Sequence, residues 1–344
     1  MHKWYEAPGI DRDVVFASRI RMVRNLSDLP FPVRMSASDR ERVCLRVEKA
    51  LSAVPDLAWT AAFLDEQEPG QAVSLVERQL CSAEFIAEPQ GRAVFYTHDE
   101  SLCVLVNGVD HVSMQGIASG SALPDVLNRV NTLDTVLDRT LRFAFHTQLG
   151  YLTQRLDALG TGLQPSVLLF LPALQQGGAV EQLSSDVAQL GFSLRGLFDS
   201  AIDPAGACYE LTNRISFGIS EADAVKNLLS ISGQLCTRER QARAAFLQTE
   251  EAQDAVGRAL AVLASARALE FSEFLRLYAS VRMGVCAGQI GGVRVEQLDS
   301  LLFAVEPATL LQRAGKPLSA AQQQERRAQF CGAVLSAASF LPGV

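Results

Sequence analysis

Between Val14 and Arg21 apolar and polar positions alternate. Val15, Ala17, Arg19 and Arg21 share one parity, and Val14, Phe16, Ser18 and Ile20 share the other. In a strand each parity projects from its own face, so both arginines point the same way. Arginine is charged at any physiological pH, which leaves two readings of the pair. It is a surface charge pair on a solvated edge strand, or it marks a face that meets an anion.

Ser38 caps a predicted helix running to about Ala53, with Val43, Leu45, Val47 and Leu51 among its apolar positions. Residues 54–72 mix Pro, Asp, Glu and Gly and are expected to be loop. From Val73 to Met114 the pattern alternates again, predicting strands at Ala93–Tyr96 and Leu102–Val106 joined by the polar turn 98–101. The segment Asn107-Gly108-Val109-Asp110-His111 sits at the exit of that hairpin. Pro124 opens a helix with Val126, Val130, Leu133, Leu137 and Leu141 at helical spacing, expected to close at Gly150. Gly160-Thr161-Gly162 leads into an apolar strand, Val167–Leu171. A later strand, 192–196, puts Ser193 and Arg195 on the face opposite Phe192 and Leu194. From Ser220 onward only helices are predicted, near 220–246, 253–268, 271–284, 294–304 and 319–338. The class is therefore α+β: an antiparallel sheet flanked by helices, then an all-helical region, divided as 1–235 and 236–344.

Composition narrows the function. The chain has 344 residues, 48% of them hydrophobic, and a formal charge of -7. A net-acidic surface repels phosphate backbones and anionic lipids, so neither a nucleic acid nor a membrane is expected as partner. The longest strongly apolar run, 167–171, is too short to cross a bilayer, and the charged N-terminus lacks an apolar signal core. A cytoplasmic location is expected. The seven cysteines are scattered and never spaced as C-x-x-C, which predicts reduced core thiols. The four histidines are not at ligand spacing, so no metal site is expected.

Taken in order, Trp4, Ser18-Arg19-Ile20-Arg21, Asn107-x-x-Asp110-His111, Gly150-Tyr151-Leu152-Thr153, Leu159-Gly160-Thr161-Gly162-Leu163 and Arg195-Gly196 resemble the ATP:guanido phosphotransferases, and within them the bacterial protein arginine kinases. The similarity continues through Val281-Arg282-Met283-Gly284-Val285 to Glu325-Arg326-Arg327-Ala328. It implies an antiparallel catalytic domain that binds Mg-ATP through arginines, followed by a helical domain used for dimerisation and phosphoarginine binding. It also implies a carboxylate that takes the guanidinium proton, because a guanidinium holds that proton with a pKa above ~12.

Carried over position by position, Arg19, Arg21 and Arg195 match phosphate-facing arginines. Other positions depart from the pattern. Gly108 and Val109 stand where the family has two glutamates, one of them catalytic. Ser113 and Gln164 replace two phosphate arginines, and Arg155 lies in the stretch that replaces the guanidinium-side cysteine motif. Asp110 belongs to the kept frame, while Asp199 and Asp203 are candidate substitutes in the acidic loop. In the phosphoarginine pocket Arg327 is kept, but Gln323 and Gln324 replace an Arg-Asp pair.

A missing general base costs about 10²–10⁴ in rate, and a missing charge-stabilising arginine about 10³–10⁵. The expectation from these replacements is a catalytically defective kinase fold, with ATP and magnesium held weakly or not at all. Such a protein would act as an adaptor or regulator in arginine-phosphorylation and Clp-type quality control. A homodimer, a true arginine kinase and Clp-system proteins are the partners this implies. An ATP-binding but inactive sensor is a second possibility. The alternative is an active, divergent protein arginine kinase using Asp110, Asp199 or Asp203.

Overall fold

The structure, a computed structural model, describes residues 2–54, 57–197, 204–214 and 216–341. Eight strands form one antiparallel sheet: β1 (Val15–Arg24), β2 (Trp59–Phe63), β3 (Ala93–Thr97), β4 (Leu102–Val106), β5 (Val112–Ser119), β6 (Leu163–Phe170), β7 (Phe192–Gly196) and β8 (Cys208–Asn213). Their spatial order is β2-β3-β4-β5-β1-β6-β8-β7, so the arginine-bearing β1 is central. This removes the solvated-edge reading of Arg19 and Arg21.

The parity of β1 divides the sheet into two chemical faces. Ile20 and Met22, with Val112, Met114, Val167, Leu169 and Leu211, pack against the helices α1 (Ala37–Leu51), α4 (Leu123–Leu141), α6 (Val180–Gln189) and α7 (Glu221–Phe246). Burying such side chains is the main stabilising term, about 1.5–3 kcal/mol for each. The opposite face is covered at its two ends only. The helical region buries Ala17, Ile117, Leu168 and Phe170 at one end. At another, α2 (Pro69–Glu77) and α3 (Ala83–Ile86) bury Val94, Cys103 and Leu105. The polar stretch between these covers carries the site.

Beyond α7 come α8 (Glu250–Ser265), α9 (Phe271–Cys286), α10 (Val295–Ala304), α11 (Pro307–Ala314) and α12 (Ala320–Leu335). A buried ion pair ties them to the N-terminal segment, Asp299 accepting from Arg12 (2.9 Å) as well as from Arg282 (2.8 Å), and a partly exposed pair joins Asp13 to Arg240 of α7 at 2.6 Å. Among the described residues the α7 helix runs unbroken through 235/236.

The α+β class holds, and four local expectations are corrected. Residues 54–72 contain β2 and the start of α2, an edge strand and a solvated helix whose polar composition resembles a loop. The helix begun at Leu123 stops at Leu141 rather than Gly150, because Arg142 is left-handed (φ 56) and the Phe143 N–H donates to Asp138 Oδ1 at 2.8 Å. The strand expected at 167–171 begins earlier, at Leu163. After residue 220 a two-residue ladder joins Ile290–Gly291 to Ser339–Phe340, and α11 adds a helix. All seven cysteines are unpaired, and all but Cys286 are buried.

Candidate active site

Strand register assembles the site. Arg21 stands opposite Gln115 on β5 and Gln164 on β6, Arg19 opposite Ile117 and Ser166, and Glu210 on β8 opposite Arg195 on β7. These residues share the partly uncovered face. Over it lies a cavity of about 400 Å³. Its floor includes Arg21, Ser113 and Gln164, and its rim includes Gly108, Val109, Asp110 and Arg155. The structure thus brings together seven of the residues singled out from sequence. Arg19 and Arg195 are not in that lining. Asp199 and Asp203 lie outside the described residues, and Gln323, Gln324 and Arg327 belong to α12.

The turn 107–111 is rigid for identifiable reasons. Asn107 adopts φ 62, a left-handed conformation that asparagine tolerates better than most residues, and its N–H donates to the His111 carbonyl at 2.9 Å. The Leu26 N–H donates to His111 Nδ1 at 3.1 Å, so Nδ1 accepts and Nε2 carries the proton toward the Pro30 carbonyl, 3.0 Å away. Burial pulls His111 down to about 4, consistent with a neutral ring. Asp110 Oδ1 accepts from Asn25 Nδ2 at 2.6 Å and from the Gln154 N–H at 2.8 Å. Burial nevertheless raises the Asp110 carboxyl above its ordinary value, with those bonds acting in the opposite sense. No side chain of Gly108 or Val109 can exchange a proton, and Val109 is half exposed at the rim.

Sequence reasoning missed the partner of two arginines. Glu210 Oε2 lies 2.9 Å from Arg195 Nη2, and Glu210 Oε1 accepts from Arg19 Nη2. Burial alone would push the Glu210 carboxyl up, but Arg19, Arg21 and Arg195 outweigh it and hold it well below the usual carboxylate range. Glu210 is thus an internal anion on two of the three arginines singled out from the sequence. Arg21 differs. Its Nη2 donates to Gln115 Oε1 at 3.0 Å, its Nε is buried without a partner, and burial, with Arg19 beside it, lowers its pKa to about 10. Ser113 Oγ, also on the cavity floor, is buried and unpartnered too. Orphaned donors are costly and are relieved by an acceptor-rich ligand, so this floor fits phosphate oxygens.

The walls bring further charges that were not foreseen. Glu84, Glu88 and Arg92 come from α3 and the segment after it, Asp157 from the loop before β6, and Arg214 from the end of β8. Arg155 pairs with Asp157 (Nε to Oδ1 3.0 Å) and Arg92 with Glu88 at 2.6 Å. Arg214 is exposed and forms no side-chain ion pair among the described residues. Of these only Arg214 follows a strand end, and no local spacing in the sequence marked the others. On α12, Arg327 is buried and donates to the carbonyls of Val305 (3.1 Å) and Leu269 (2.7 Å).

A cavity with arginine on its floor and carboxylates at its rim, on the open face of an antiparallel sheet, has the chemistry of a site for a phosphorylated ligand. The chain belongs to the ATP:guanido phosphotransferase family: the model of that family's C-terminal catalytic domain matches residues 42–242. A second model, the protein-arginine kinase McsB C-terminal domain, matches residues 249–340. Proteins named protein-arginine kinase are similar over nearly their whole length. One from Symbiobacterium thermophilum is 36% identical, covering 97% of each chain. One from Clostridium novyi is 32% identical, covering 96% of this chain and 97% of its own. Among solved structures the fold is shared with a lombricine kinase (TM-score 0.61, 20% identity, 69% of each chain). It is also shared with a duplicated taurocyamine kinase from Schistosoma mansoni (TM-score 0.62, 22% identity, 79% of this chain and 40% of that one). No helix among the described residues is long and apolar enough to cross a membrane.

Proposed function

We propose that the chain is a divergent protein arginine kinase, taking the γ-phosphoryl group of ATP to arginine side chains. The observation that carries the reading is the cavity itself, where the buried, unpartnered Nε of Arg21 meets a rim bearing Glu84, Glu88, Asp110 and Asp157. The names of the full-length relatives support it. ATP would supply the phosphoryl group, accompanied by the magnesium the family uses. Arg21, Ser113 and Arg214 hold phosphate oxygens, so that charge developing in transfer meets fixed donors. The rim carboxylates orient the acceptor guanidinium. Asp110 is placed to take its proton, since a carboxyl raised by burial is a stronger base than an exposed one.

A second reading, a catalytically defective family member acting as adaptor or regulator, is favoured by a separate observation. Gly108 and Val109 offer no acid, and Glu210 already occupies Arg19 and Arg195. In that role its partners would be a second copy of the chain, a true arginine kinase or Clp-type proteolytic components. Incubation with Mg-ATP and an arginine-rich protein, followed by mass spectrometry for phosphoarginine, separates the two. Product above a buffer control that disappears in Arg21→Ala supports the kinase. No product, with Mg-ATP still raising the melting temperature, supports the defective form.

A further inference from the structure

A second cavity, about 980 Å³, adjoins the first. Glu88 and Arg92 line both, and their ion pair stands at the junction. Arg92 Nε also donates to the Asn107 carbonyl at 3.1 Å, which sets the junction at the Gly108–Val109 end of the reaction cavity. That is the end at which an acceptor guanidinium must enter if phosphate lies over Arg21.

The groove is built from α1, which contributes Arg40, Glu41 and Cys44, and from the segment after β2, which contributes Asp65 and Glu66. Glu41, Asp65 and Glu66 are exposed and make no side-chain hydrogen bond or ion pair among the described residues. The guanidinium of Arg40 donates to the Pro32 carbonyl at 3.2 Å, and that of Arg92 is spent on Glu88. Three carboxylates without an ion-pair partner, set against the single guanidinium of Arg40, therefore give this concave surface a net negative charge, where field lines concentrate. A separate observation lies beneath them. Asn107 is wholly buried, and its Nδ2 donates to the carbonyls of Arg40 (2.9 Å) and Gly91 (2.7 Å) on the groove floor. These bonds tie the groove floor to the turn that carries Gly108 and Val109.

We propose that this groove binds the polypeptide surrounding the acceptor arginine. The occupant is an extended cationic stretch lying across Glu41, Asp65 and Glu66 while one arginine passes the Glu88–Arg92 junction. The chemistry follows from charge: carboxylates accept two parallel bonds from arginine and pair with lysine, and a free arginine would leave the groove unfilled. The inference rests on the reading that polypeptide arginines are the acceptors, and it names what selects them.

The test is binding, measured without nucleotide, so it is independent of phosphotransfer. A labelled peptide of alternating Arg and Ser is titrated with the full chain by fluorescence anisotropy, beside an alternating Glu and Ser peptide of equal length. The cationic peptide is expected to bind and the acidic one not. E41Q/D65N/E66Q is expected to weaken binding tenfold or more. A control of equal charge change on exposed positions elsewhere, E181Q/E250Q/E251Q, is expected to stay within twofold. Each single groove substitution should cost a few-fold, which serves if the triple variant loses stability. No binding of the cationic peptide, or equal weakening by both triple variants, overturns the proposal. A peptide that binds through the groove yet is never phosphorylated supports the groove while removing the active-kinase reading.

Discussion

Glu210 and Arg195 are joined across neighbouring strands, Oε2 to Nη2 at 2.9 Å, and the same carboxylate holds Arg19 through its other oxygen. An anion arriving at this face must compete with a carboxylate that cannot leave. Glu210→Gln removes the charge and keeps the shape. Because it breaks a buried pair, the unfolding free energy is expected to fall by about 3 kcal/mol. ATP or inorganic phosphate should then restore more stability to the variant than to the parent, because Arg19 and Arg195 become available. Denaturant titrations with and without phosphate check this, and equal phosphate effects on the two proteins would remove Arg19 and Arg195 from the anion site.

At the other end of the cavity the question is the base. Val109 is half exposed, whereas a Cβ on Gly108 would lie 3.3 Å from the Phe85 ring, so Val109→Glu is the substitution the site accommodates without rearrangement. Its stability should change by no more than about 0.5 kcal/mol. If transfer is limited by the missing acid, V109E raises phosphoarginine formation by about 10²-fold. If Asp110 already serves, V109E changes the rate little and Asp110→Asn abolishes it. Single-turnover assays on the two variants decide which carboxylate works.

What was legible beforehand follows from periodicity. The parity of Val14–Arg21 placed Arg19 and Arg21 on one face, and the structure has them there because apolar Ile20 and Met22 claim the other. Strand 192–196 was equally clear. The strand Cys208–Asn213 was not, since it is buried on both faces and shows no alternation. With it went Glu210, whose role appears only when strand order sets it beside Arg195. Arg92 and Glu88 were hidden for a related reason. They meet Gly108 and Val109 through tertiary packing, which no local spacing encodes.

Glu239 on α7 is fully buried and accepts from the N–H groups of Ala173 (3.1 Å) and Leu174 (3.0 Å). Burial, only partly offset by those bonds, pushes its carboxyl up to about 7. A raised carboxyl means the folded state binds more protons than the unfolded one between the ordinary glutamate value and 7. This contribution to stability is therefore largest at acid pH and is lost as pH rises through that window, by at most about 3 kcal/mol. Glu239→Gln should flatten the loss, so the stability difference between variant and parent grows from pH 5 to pH 8. Urea midpoints at those two pH values measure it, and a pH-independent difference would refute the assignment.

The contact between α2 and α11 makes the sharpest distinction between two glutamates. Glu77 at the end of α2 accepts from the Ala308 N–H (2.8 Å), the Thr309 N–H (2.6 Å) and Thr309 Oγ1 (2.7 Å), capping α11 from another part of the chain. Glu306, the residue before α11, is buried with Oε1 unpartnered, and burial, reinforced by Glu77, pushes its carboxyl well above the ordinary value. Burial thus favours the neutral form of Glu306, while Glu77 does the bonding. Replacing a neutral carboxyl by an amide is nearly isosteric, so Glu306→Gln should cost under about 1 kcal/mol. Glu77→Ala strips three bonds from a helix N-terminus and should cost about 2–4 kcal/mol. Hydrogen exchange should report the loss first at the amides of Ala308 and Thr309, while the amides of β1 keep their protection. Comparable costs for the two variants would mean that the helix is held by its apolar contacts rather than by this cap.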